Sequence, residues 1–263
     1  MQIKNSVVIV TGASAGIGRA TAVSLAQRGA NVVLNARRAE RLQELAAALA
    51  AYPGRRLVVP GDIGQPATAE TLVAETLATF GRVDVLINNA GVGHNSPLTA
   101  IPPADMRTIL DVNVLGLLYA TQAVVPHMRR QGYGQIVNVS SIISQRPEVR
   151  SGMYTASKTA VNFVSRSLRM ELRPAHITVT LVYPGLTATE FADAKLGKSG
   201  GNRLGLRGVP SERVAERILT AITANQTEVY ITWYDWLFTH LNRLFPRITD
   251  RLYSWIIRFV TTS

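Results

Sequence analysis

Short, almost wholly apolar runs alternate along this chain with longer stretches of helical periodicity. The runs fall at residues 7–10, 32–35, 57–60, 85–88, 136–140, 178–182 and 229–231. They read as strands buried on both faces, because they lack the polar alternation of a half-exposed sheet. Between them, apolar residues recur at three- and four-residue steps over about 17–28, 40–51, 67–80, 104–130, 154–172 and 211–224, which predicts helices. Strand–helix alternation implies a parallel sheet, and right-handed crossovers make it doubly wound. The expected fold is α/β, a Rossmann-type sheet of about seven strands with helices on both faces. No repeat or linker interrupts the pattern, so residues 1–232 read as one domain and 233–263 as a helical extension. Residues 195–205 are rich in Gly, Lys and Ser. They follow a strand's carboxyl end, so they suit either a lid over a pocket or an ordinary surface loop.

The first strand runs into Thr11-Gly12-Ala13-Ser14-Ala15-Gly16-Ile17-Gly18, which opens the first helix. Glycines there let the backbone turn tightly and bring a pyrophosphate to the free N–H groups of the helix. The second strand ends in Asn35-Ala36-Arg37-Arg38, without the acid that takes an adenosine 2′-hydroxyl. Arginine there suits a 2′-phosphate, so NADP(H) is preferred over NAD(H), with Arg37 the better ligand. Arg38 and Arg41 also suit the solvated face of the next helix.

Tyr154 and Lys158 stand four residues apart on one helix face. A tyrosine ordinarily titrates near 10, and a neighbouring ammonium is expected to draw it down toward neutrality. Taken alone, Tyr-x-x-x-Lys is commonly an exposed helix face. Ser141, at the carboxyl end of the strand at 136–140, adds a hydroxyl where such sheets place their sites.

Together these residues resemble the short-chain dehydrogenase/reductase family. The Thr-Gly-x-x-x-Gly-x-Gly turn, Asn88-Asn89-Ala90-Gly91, Asn113, Ser141, Tyr154-x-x-x-Lys158 and Pro184-Gly185-x-x-x-Thr189 occur in that family's order and spacing, across residues 5 to about 232. The resemblance implies Tyr154 as acid/base, Lys158 on the nicotinamide ribose, and Ser141 on the substrate oxygen. Asn113 would hold a water relaying protons from Lys158. Gly12, Ser14, Gly16, Ile17 and Gly18 would hold the pyrophosphate end, and Arg37 and Arg38 the adenosine phosphate. Asp62, Ile63, Asn89, Ala90 and Gly91 would flank the adenosine, and Pro184, Gly185, Thr187 and Thr189 the nicotinamide. Ser140 would face away from the site. Thr187 departs from the usual Val or Ile, and Ala15 stands where some NADP-dependent members carry a base. The implied reaction interconverts a small-molecule ketone or aldehyde with an alcohol, in a homodimer or homotetramer. A non-catalytic NADP(H)-binding sensor on the same fold is the rival reading.

Composition narrows the rest. The absence of cysteine removes disulfides, thiolate metal sites and cysteine nucleophiles, and four histidines without paired spacing argue against a metal. A net charge of +11 suggests an anionic partner or simply a basic surface. No nucleic-acid motif accompanies it, so nucleic acid is not expected. No segment looks apolar and long enough to span a bilayer, which points to a cytoplasmic protein. Residues 233–263 differ from the body. Leu237, Leu241, Leu244, Ile248, Leu252, Trp255, Ile256 and Phe259 form a helical stripe, beside Arg243, Arg247, Arg251 and Arg258, and Pro246 should split it into two helices. This suits helices packed on the domain or on a partner subunit, or a peripheral membrane contact. The apolar stripe also favours a hydrophobic substrate. His94 and Met153 are candidates for the pocket wall; His127, His176 and His240 have no assigned role.

Overall fold

In the first strand, β1 (Val7–Thr11), every side chain is buried, but neighbours go to opposite cores. Val8 and Val10 join the core that holds Leu25, Leu34, Leu42 and Ile218, whereas Val7 and Ile9 join that of Leu72, Leu86, Val124 and Met128. This two-residue alternation between two apolar faces is what requires helices on both sides of the sheet.

The computed structural model describes residues 1–146, 148–191, 195–197, 208–249 and 251. After β1 come α1 (Gly16–Gln27), β2 (Asn31–Asn35), α2 (Ala39–Ala48), β3 (Arg56–Val58), α3 (Pro66–Phe80), β4 (Val85–Asn88) and β5 (His94–Asn95). Then follow α4 (Pro103–Leu110), a π turn (Asp111–Leu115), α5 (Gly116–Gln131), β6 (Gly134–Val139), α6 (Gly152–Leu172) and β7 (Ile177–Tyr183). The chain continues with β8 (Thr187–Ala188), β9 (Leu196–Gly197), β10 (Val209–Pro210), α7 (Ser211–Ala224), β11 (Glu228–Tyr230) and α8 (Trp233–Leu244). Seven strands form one sheet in the order β11-β7-β6-β4-β1-β2-β3, all parallel. The order reverses between β1 and β4, and the crevice at their carboxyl ends is where a doubly wound sheet binds ligands.

Two features depart from the sequence reading. The two-residue strands β5, β8, β9 and β10 pair into small parallel ladders, β5 with β9 and β8 with β10, beside the central sheet. They are too short to leave a periodic signal. Of the expected lid at 195–205, Leu196 and Gly197 belong to this strapping, and residues 198–205 lie outside the described residues. Pro103–Gln131 forms one continuous 29-residue helix whose best 18-residue window has mean hydropathy 1.5, which corrects the expectation that no segment is long and apolar enough to span a membrane. Packing accounts for this: Ile109, Leu117, Ala120, Val124 and Met128 bury their side chains along its inner face. At the C-terminus α8 stops at Leu244, Phe245 leaves helical geometry, and residues 246–249 turn again, so the break falls beside Pro246 as expected.

Candidate active site

One cavity of about 700 Å³ runs across the carboxyl ends of β1, β4, β6 and β7. At one end lies the glycine turn. Gly12 and Gly16 have φ of +68° and +52°, left-handed values that favour glycine. A Cβ on Gly12 would lie 2.8 Å from Ala90 Cα, and one on Gly18 would strike the Gly12 carbonyl oxygen. The turn is pinned from below. The Asn89 amide donates to the carbonyls of Thr11 (3.0 Å) and Gly12 (3.3 Å), and the Thr11 hydroxyl accepts from the backbone N–H groups of Asn89 and Ala90, each at 3.1 Å. At the start of α1, Ala15 supplies no capping side chain and the first turn holds no acid. Its N–H groups therefore lack an internal anion, which fits a pyrophosphate.

Arg38 reaches back to Ser14 Oγ through Nε (3.3 Å) and Nη2 (3.1 Å). Glu190, three residues beyond Thr187, lies across from it and pairs with Arg38 at 3.3 Å and with Arg41 at 2.7 Å. Both guanidiniums pull the Glu190 carboxyl below its usual range, Arg41 more than Arg38. Arg37 lies 4.0 Å from Asp62, whose Oδ1 accepts from the N–H of Gly64 at 3.0 Å. Ile63 is buried, and its backbone would obstruct any Cβ on Gly116. All three arginines thus gather at the carboxyl end of β2, and Glu190 is a member of that cluster that no sequence motif announces.

At the other end Ser141, Tyr154 and Lys158 converge. Ser141 leaves β6 on an extended backbone; its Oγ donates to the Pro184 carbonyl at 3.3 Å and accepts from Ile143 N–H. Ser140 turns the opposite way, to Asn162 Oδ1 at 2.6 Å, as strand alternation predicts. Lys158 is buried, donates to the Val139 carbonyl at 2.9 Å, and sits 5.9 Å from the Tyr154 ring centroid. Burial pushes its ammonium down to about 8.

Tyr154 lies deep in the cleft with part of its ring open to the cavity. Burial drives its phenol far above the ordinary value, a hydrogen bond with Ser141 pulls it down, and Glu148 pushes it further up. This corrects the expectation that Lys158 draws the phenol toward neutrality. The loss of solvent outweighs the ammonium, which is itself desolvated and directed at a carbonyl.

Asn113 lies in the π turn inside the long helix, a device often found at functional sites. Its side chain makes three hydrogen bonds, accepting from Val92 N–H (2.7 Å) and donating to Val92 O (3.0 Å) and Ser157 Oγ (2.9 Å). Between Asn113, Thr11 and Lys158 remains a void of about 10 Å³, the lower limit for one water.

Pro184, Gly185, Thr187 and Thr189 line the cavity, and Thr187 Oγ1 donates to Gly185 O at 3.0 Å. Thr189 lies against Gly16, where a Cβ would come within 3.0 Å of its methyl group. His94 and Met153 are absent from the cavity wall: His94 is buried with Nε2 3.4 Å from Asp105. No motif singles out Arg146, Phe191 and Phe238, which do line it. Phe191 packs on Tyr154 with ring centroids 5.5 Å apart, and Phe238 arrives from α8, beyond every motif.

A parallel sheet with a glycine cradle and a Ser–Tyr–Lys cluster in one crevice defines a dinucleotide-type oxidoreductase scaffold. The family model of the short chain dehydrogenases matches residues 6–198, and the chain belongs to that family. An uncharacterized oxidoreductase of Bacillus subtilis is 35% identical over 257 residues, covering 95% of this chain and 72% of the relative. The crystal structure of a short chain dehydrogenase/reductase from Burkholderia phymatum in complex with NAD superimposes with a TM-score of 0.87 at 25% identity, covering 95% and 96% of the two chains. An alcohol dehydrogenase from Thermococcus sibiricus complexed with 5-hydroxy-NADP gives 0.76 at 27% identity, covering 86% of this chain and 96% of the other. The chain is an oxidoreductase of this family on a nucleotide-binding Rossmann fold.

Proposed function

We propose that the protein is an NADP(H)-dependent reductase of ketones or aldehydes, with Tyr154 as the proton donor. The observation that carries this reading is the convergence of Ser141, Tyr154 and Lys158 on the cavity that also holds the glycine cradle. The bound dinucleotide supplies the hydride. Its pyrophosphate would rest on the N–H groups of α1, and its nicotinamide ribose on Lys158. Ser141 orients and polarises the substrate carbonyl, whose oxygen takes the proton from the Tyr154 hydroxyl. At neutral pH a tyrosine phenol is protonated, which is the state that donation requires. Lys158 stabilises the phenolate left behind, and the small void beside Asn113 would hold the water that returns a proton to it. Ile142, Ile143, Leu186 and Phe191 line the substrate end beside the charged Arg146, Glu148, Arg150 and Lys195, and the apolar members support a hydrophobic substrate.

The pH dependence follows from these groups. Reduction needs Tyr154 protonated and Lys158 charged. Since Lys158 loses its proton above about 8, kcat/KM for reduction is expected to be level at neutral pH and to fall beyond about 8. Alcohol oxidation needs the phenolate and should instead rise with pH. A reduction profile that stays level to strongly alkaline pH would contradict these roles.

Preference for NADP(H) is supported by Arg37, Arg38 and Arg41 around an acid-free end of β2, with Glu190 standing where it competes for Arg38 and Arg41. Fluorescence titration tests this. Arg37→Asp should weaken NADPH by about tenfold or more and leave NADH nearly unchanged. Glu190→Gln should tighten NADPH by about two- to fivefold, the modest yield of exposed pairs. Equal changes for both cofactors would sink the 2′-phosphate assignment.

A further inference from the structure

Helix α8 is mounted with its polar side inward. Asp235 and Thr239 are buried. Thr232 caps the helix through the Asp235 N–H at 3.2 Å, and Asn242 donates to the Gln145 carbonyl at 3.0 Å. The Asp235 carboxylate fits against Gly185, where a Cβ would lie 2.7 Å from it, and Arg146 lies 5.5 Å over the Phe238 ring. The register is therefore fixed by specific polar contacts. It leaves Leu237, Leu241, Leu244 and Ile248 facing outward in one line, with Leu244 and Ile248 69% and 64% exposed. Trp233, 74% exposed, and Tyr234 flank this line at its start, and Phe245 near its end. An amphipathic helix at a water-facing surface presents the reverse arrangement, and a contiguous apolar face of this kind marks an interaction site.

Charge identifies the occupant. Arg243, Arg247 and Arg251 are exposed along the same segment; of its two acids Asp235 is buried and Asp250 lies outside the described residues. We propose that this face docks on an anionic lipid surface, with α8 lying in the interfacial plane, its leucines in the acyl boundary and its arginines on headgroup phosphates. Tryptophan and tyrosine at the rim suit that depth. Phe238, on the flank of the helix, also lines the active-site cavity, so the docked face borders the substrate entrance. Resting on the catalytic reading above, this assigns a carbonyl compound dissolved in the bilayer as substrate.

The test is co-sedimentation of the full chain with phosphatidylglycerol-containing vesicles and with pure phosphatidylcholine vesicles. The wild-type protein should pellet with the anionic vesicles, and high salt should weaken this. A Leu237→Glu/Leu241→Glu/Leu244→Glu variant, its fold checked by NADPH binding, should bind more than about tenfold less. If that variant fails to fold, Arg243→Gln/Arg247→Gln should still weaken binding to anionic vesicles selectively. Wild-type protein that stays in the supernatant overturns the proposal, as does equal pelleting of folded variants. So does an oligomer that the leucine variant dissociates while the wild type ignores vesicles, an outcome that assigns the face to a second copy. Sedimentation requires no turnover, so failure of the catalytic reading would show separately, as no reduction of either vesicle-dissolved or water-soluble ketones.

Discussion

Tyr154→Phe should lower carbonyl reduction by about 10²- to 10⁴-fold, the usual contribution of a positioned general acid, while NADPH binding stays within about twofold. The asymmetry is expected because the hydroxyl meets the reacting oxygen, whereas the ring that packs on Phe191 is retained. Removing the hydroxyl leaves Ser141 with its bond to Pro184 O and Lys158 with its bond to Val139 O, so neither neighbour collapses into the gap. Steady-state kinetics beside a cofactor titration separates the two effects. Loss of cofactor affinity in parallel with turnover would mean that Tyr154 is structural.

Gly18→Ala should abolish cofactor binding for a steric reason. The new methyl would collide with the Gly12 carbonyl oxygen and lie 2.5 Å from Asn89 Nδ2. Neither can yield freely, because that amide is bonded to Thr11 O at 3.0 Å and Asn89 N–H to the Thr11 hydroxyl. The glycine turn would have to open, with NADPH affinity down by more than about tenfold and stability reduced by ~1–3 kcal/mol, as for overpacked sites. Calorimetry of binding and thermal unfolding read both. An alanine variant with unchanged affinity would show that the turn does not cradle the dinucleotide.

The sheet was legible because its inner strands are almost wholly apolar and buried, although the edge strands β3 and β11 are only partly so, and because the helices carry their period. Val7 through Val10 announce by apolarity alone that both faces of the sheet are covered. The candidate site was legible wherever chemistry depends on fixed spacing along one element, as with Tyr154 and Lys158 on α6 or Gly12 to Gly18 at the start of α1. It was hidden where the chain folds back from a distance. Glu190 meets Arg38 and Arg41 across about 150 residues of sequence, and Phe238 reaches the cavity from a helix beyond all the motifs. The phenol was misjudged for a related reason: Lys158 is visible in the sequence, but the burial that outweighs it belongs to the whole cleft. The outward stripe of α8 was visible as periodicity, but its direction was set by Asp235, Thr239 and Asn242, polar contacts that no pattern reveals.

The most direct test of the central claim follows the hydride itself. NADPH carrying deuterium at the transferable C4 position is incubated with the protein and a panel of hydrophobic ketones and aldehydes, and the products are read by mass spectrometry. The account predicts an alcohol one mass unit heavier than the unlabelled product, formed by the wild type and lost in Tyr154→Phe. NADPH that binds tightly but delivers no deuterium to any carbonyl would contradict the reductase and favour a protein that senses the cofactor.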